Sequence, residues 1–167
     1  MDRIDISIDE NVSVALARIA ALGADLTPQM AQIAQLLGTE TRLNFVKQSA
    51  PDGTPWAITE RKRLDPSASI LRLKGDLSGS IREEWGKDFA AAGPEKSGGA
   101  AVYAALHQFG ANIVAKVGKA LKTPFGLKRS VRIQARPYLG FTTPIIDRAL
   151  QILAQPFLAV GSQEARS

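Results

Sequence analysis

A chain of 167 residues, 45 % of them hydrophobic, can bury one core without a disulfide or metal to hold it. It has no cysteine, which excludes disulfides and thiolate metal sites. The formal net charge of +5 is unevenly placed: residues 1–50, 51–95, 96–146 and 147–167 sum to −2, −1, +8 and 0. All the excess lies in one stretch without an acid, which points to a surface facing something negative. The N-terminus, Met1-Asp2-Arg3-Ile4-Asp5, lacks a basic segment followed by an apolar run, so no signal peptide is expected. No apolar stretch reaches the ~20 residues of a membrane-spanning helix, and no membrane partner is expected.

In chain order, Ile4, Ile6 and Ile8 alternate with polar residues across 2–9, the period of a half-buried strand. Residues 11–22 switch to helical spacing, with Gly23 as a stop. Thr27-Pro28 predicts a helix start, with the Thr27 hydroxyl as N-cap and proline at the first helical position. The helix that follows, to about Gln48, puts Met30, Ile33, Ala34, Leu37, Thr41 and Phe45 on one stripe. Pro51-Asp52-Gly53 is a turn in which proline fixes φ, aspartate bonds the local backbone and glycine accepts positive φ. Residues 57–69 are polar and basic and predict a short helix or loop; 70–81 predict a short helix or turn feeding a strand. Residues 81–91 alternate as one strand, and the Gly/Pro-rich 92–99 read as a loop.

A short helix is expected over 100–109, ended by Gly110, and then an extended loop or β-arm over 111–135, where Pro124 and Gly126 forbid a long helix. This arm is expected to be more mobile than the rest and unordered before assembly, since few apolar residues offset its ordering entropy. A strand should precede a last helix that starts at Thr143-Pro144 and stops at Pro156. The expected class is α+β: a small, mainly antiparallel sheet with helices packed on one side and one extended basic arm, in a single domain over residues 1–160 with a flexible tail over 161–167.

Catalytic chemistry is poorly provided for. The single histidine, His107, has no G-x-S-x-G motif around any serine to make it part of a triad. No ligand set is spaced for zinc, and no cofactor is expected. Gly75-Asp76-Leu77-Ser78-Gly79 lacks the Gly-Lys-Ser/Thr of a P-loop and reads as a tight turn. Glu83 and Glu84 point to opposite faces of a strand and cannot act on one atom. An enzyme is therefore not expected. The basic tract carries more weight: Lys116, Lys119, Lys122, Lys128, Arg129, Arg132 and Arg136 lie within 21 residues with no counter-charge. It is suited to a DNA backbone or an acidic partner, without sequence-specific recognition.

Four ordered segments carry a resemblance: Pro51-Asp52-Gly53-Thr54-Pro55-Trp56; residues 70–81, with Leu71, Gly75, Leu77, Ser80 and Ile81; Tyr103-Ala104-Ala105-Leu106-His107-Gln108-Phe109-Gly110; and Ala135-Arg136-Pro137-Tyr138-Leu139-Gly140. Together they resemble the phage virion morphogenesis family, which includes the tail-completion proteins of myophages and Mu-like phages. The resemblance covers roughly residues 4–155; residues 111–134 do not align with its pattern. It implies a non-catalytic structural protein that completes the tail and helps form the head–tail joint. It also implies a ring, six copies by expectation, that touches tail-tube and neck or connector proteins and passing DNA. The place implied is the virion neck or tail end, with assembly in the host cytoplasm. The motif residues above read as structural or interface residues, and the lysines and arginines of 116–132 as contacts to DNA or an acidic partner. The alternative is a nucleic-acid-binding module without sequence specificity.

Overall fold

The computed structural model describes residues 21, 23, 25–72, 74–95, 99–123 and 126–164. The strand expected over 2–9 lies outside them, as does the helix expected over 11–22 apart from Ala21; Gly23, expected as its stop, is helical. Helix α1 (Thr27–Lys47) starts where Thr27-Pro28 predicts, but Thr27 is its first helical residue and not its cap. The Asp25 carboxylate accepts the Thr27 N–H at 2.9 Å, and hydrogen bonding to Thr27, its side chain first and its N–H second, holds the Asp25 pKa below the usual carboxylate range. Met30, Ile33, Ala34, Thr41 and Phe45 form the buried stripe, joined by Gly38 and Asn44. Gln48 closes the helix in the left-handed region, φ 55°.

After it, Gly53 donates to Ala50 O at 2.9 Å with φ +87°, and Asp52 accepts from the Thr54 N–H, as the turn chemistry requires. Helix α2 (Glu60–Leu64) is capped by the Thr59 hydroxyl, which accepts from the Lys62 N–H at 3.2 Å. Gly75, φ +85°, opens the single turn α3 (Asp76–Gly79).

Two strands stand where one was expected. β1 (Ile81–Trp85) turns at residues 86–89 and returns as β2 (Ala90–Pro94), in register from Ile81↔Pro94 to Trp85↔Ala90. The alternation over 81–91 therefore runs across a turn, and the supposed loop at 92–99 begins inside a strand. Ala-Ala-Ala-Gly-Pro carries no alternating pattern of its own; β2 forms because β1 and α1 pack against it. On the α1 side, Glu83 crosses over Gly38, where an added Cβ would lie 2.1 Å from the carboxylate.

Helix α4 (Gly99–Phe109) ends at Gly110, φ +74°, where a Cβ would meet the Ala135 nitrogen at 2.9 Å and Ile133 O at 3.0 Å. The arm follows as a two-tier β-ribbon. β3 (Ala111–Val114) pairs with β6 (Ser130–Ile133), and β4 (Leu121–Thr123) pairs with β5 (Gly126–Lys128) beyond it. The arm is thus already paired in the single chain, where it was expected to be unordered: Ile113, Val131 and Ile133 give its base one half-buried face. The strand expected after it is absent, and residues 134–140 run without a ladder.

Helix α5 (Thr143–Glu164) packs on α1 and runs through Pro156, the expected stop, into the segment expected as a tail. Proline already has helical φ, so it costs the helix a hydrogen bond and a local kink, and flanking turns bridge it. The α+β class stands, and among the described residues the strands are spread over three two-stranded antiparallel ribbons. The core joins Phe45, Trp56, Ile70, Leu77, Ile81, Ala104 and Tyr138; Phe45 meets Trp56 edge-on at 5.6 Å and Tyr138 at 5.1 Å.

Candidate functional site

Residues 134–140 have no strand partner, so their backbone polar groups must be satisfied by side chains or buried unpaired. Trp56 and Gln108, from two of the other motifs, and Asn44 of α1 supply those side chains. Trp56 Nε1 donates to Pro137 O at 2.8 Å. Gln108 Oε1 accepts from the N–H groups of Tyr138 at 3.0 Å and Leu139 at 3.1 Å, while its Nε2 donates to Leu139 O at 2.9 Å. Asn44 Nδ2 donates to Tyr138 O at 3.1 Å. The Arg136 N–H donates to His107 O at 2.7 Å, and the Tyr138 hydroxyl to Ala104 O at 3.3 Å.

Gly140 lies so close to Pro51 that a Cβ would sit 2.9 Å from its Cγ. Leu77 and Ile81 are buried in the same core, with Leu71 and Tyr103 packed against it. Ser80 turns its hydroxyl to Leu77 O at 2.8 Å. The four motifs thus converge on one extended segment and hold it in place. Among the large apolar motif residues Phe109 is the exception, 78 % exposed at the root of the arm.

Arg136 is buried, and its guanidinium donates to Ala57 O at 3.0 Å and Gln134 O at 3.3 Å. Together with His107, Tyr103, Leu71, Lys74 and Asp76 it lines an open cleft of about 530 Å³. His107 Nδ1 is buried without a hydrogen-bond partner. A catalytic triad needs a carboxylate on that nitrogen, and among the described residues none bonds it. Burial, with the Arg136 charge second, holds the imidazole below its ordinary pKa of 6.5. Its contribution to stability is therefore full above that value and is lost as pH falls toward the folded-state value. The melting temperature should therefore fall as the pH drops below about 6.5, before carboxylates begin to titrate. His107→Phe should flatten that drop; an unchanged slope would show that His107 is not the group responsible.

The arm differs in kind. Lys116, Lys119, Lys122, Lys128, Arg129 and Arg132 are all exposed, and among the described residues none of them forms an ion pair. Among the described residues its strands make no extended contact with any helix or with the β1–β2 hairpin. The arm therefore presents its charge away from the body.

Sequence reasoning missed Asn44, Gln48 and the Arg42–Glu83 pair. Gln48 Oε1 accepts the Ile70 N–H at 2.8 Å, and Arg42 Nη1 meets Glu83 at 2.7 Å. For Asn44 the signal was present: a polar residue among the apolar positions of the α1 stripe is one that bonds inside the core.

No group of three or more His, Cys, Asp or Glu that could hold a metal occurs among the described residues, and no helix there is long and apolar enough to cross a membrane. No solved structure matches the chain. The description of the phage virion morphogenesis family matches residues 8–156. A protein of Escherichia phage Mu, "Putative capsid assembly protein G", is 31 % identical over 150 residues, covering 80 % of this chain and 85 % of that protein. With its four motifs gathered on one extended segment and its family match spanning nearly the whole fold, the chain belongs to the phage virion morphogenesis family and serves the assembly of the phage particle.

Proposed function

We propose that the chain is a ring subunit, six copies to a ring, that completes the phage tail and helps make the stable head–tail joint. The observation that carries this reading is the division of labour in the fold. The motif side chains are spent on holding one backbone segment, while an arm with six exposed cations stands clear of the body. A protein built this way works by presenting surfaces, to its own copies and to tail-tube and neck proteins. Its place is then the neck or tail end of a virion assembled in the host cytoplasm.

Electron microscopy of particles made from a genome with an early stop codon in this gene tests it. Filled heads beside separate tails are expected. The Mu relative's name speaks of capsid assembly; missing or malformed heads would move this chain to that stage, and normal joined particles would end the reading.

The exposed cations favour a second reading, contact with the DNA backbone as it passes. Each phosphate neutralised releases counterions, so binding of duplex DNA should weaken steeply with salt. Failure to bind at low salt would remove this reading.

A further inference from the structure

We propose that the tip of the arm of one copy docks on the turn end of the β1–β2 hairpin of a second copy, in a head-to-tail contact. This rests on the ring reading above and names the surfaces that would make the ring.

The arm tip is not only basic. Val114, Val117 and Leu127 are 65 %, 102 % and 75 % exposed, set among Lys116, Lys119, Lys122 and Lys128. A DNA backbone would take the cations and leave those three side chains in water. A protein surface with its own apolar groups and acids uses both kinds.

The hairpin offers such a surface. Trp85 and Phe89 flank its turn, 46 % and 51 % exposed. Residues 81–95 hold four acids against the two bases Arg82 and Lys87. Glu83 is engaged by Arg42 and Glu95 by Arg82, whereas Glu84 and Asp88 are exposed and form no ion pair among the described residues. Within one chain, among the described residues, the arm makes no extended contact with β1 or β2. Arm tip and hairpin are different surfaces, so the contact between copies is heterologous, the kind that closes into a ring when its rotation allows. Charge balance agrees: outside the arm's six bases, the chain has 15 bases against 16 acids.

The test uses the full chain in sedimentation velocity with two charge-reversed variants. One carries Lys116→Glu, Lys119→Glu and Lys128→Glu; the other carries Glu84→Lys and Asp88→Lys. All five sites are exposed, so thermal melting should show both folded. Each variant alone should self-associate at least about tenfold more weakly than the parent chain. Mixed in equal amounts, they should assemble again, because arm and hairpin then alternate in sign around the ring.

If the parent chain assembles and neither variant weakens it, or if mixing restores nothing, the docking is wrong and the ring reading survives. If the parent chain stays monomeric at every concentration, the ring reading falls and the docking with it. Loss of duplex binding in the arm variant, with assembly intact in both, would assign the cations to DNA instead.

Discussion

Replacing Gln108 with leucine should lower the stability of the fold by about 3 kcal/mol. Leucine keeps much of the side-chain volume and removes three hydrogen bonds at once. The N–H groups of Tyr138 and Leu139 and the carbonyl of Leu139 would then lie in a partly buried setting with no partner. Each such orphaned group costs on the order of 1–3 kcal/mol, and partial access to water trims the sum. Tyr138→Phe, losing one long bond to Ala104 O, should cost only about 1 kcal/mol. Tyr138→Ala, which empties a core position 1 % exposed, should cost about 4 kcal/mol. Urea denaturation of the three variants gives the order directly. Should Gln108→Leu fall within about 0.5 kcal/mol of the parent, packing alone would hold the segment.

This amide is also where sequence reading reached its limit. The turn at Pro51-Asp52-Gly53 was legible because its chemistry is local: the bonds join residues two or three apart. Gly110 was legible as a helix stop for the same reason. Gln108, by contrast, sits at the polar end of a helix and resembles any surface residue, because its partners lie 30 and 31 positions further on. The four-motif resemblance picked Gln108 out, and only the fold gave it a role. The β1–β2 hairpin was hidden differently. Its turn falls inside an alternating run, and β2 is nearly featureless alanine, so neither period nor propensity marked the reversal. At Pro156 a sound local rule was outweighed, since a long helix packed on α1 tolerates one missing bond. The arm's charge was plain from composition; its freedom from the body, which gives that charge meaning, needed three dimensions.

Cutting the arm away should abolish particle assembly while leaving the fold nearly as stable as before. Val114 and Ser130 face each other across the β3–β6 ladder. An Asn-Gly pair joining them, in place of residues 115–129, makes a two-residue turn whose twist suits the two strands. What is lost is the outer ribbon, five of the arm's six cations, and the exposed Val117 and Leu127. None of this contributes to the core around Phe45, Trp56 and Tyr138. Shortening the connection also lowers the entropy cost of closing β3 on β6, though only slightly. The melting temperature should therefore stay within a few degrees, as expected for a stability change of about 0.5 kcal/mol. Supplied in place of the intact gene, the shortened protein should yield the separated heads and tails expected of the early stop codon. A stable protein that cannot build the particle would locate the working surface on the arm. A stable protein that builds it normally would show that the body alone suffices, and both partners proposed for the arm, a second copy and DNA, would lose their support together.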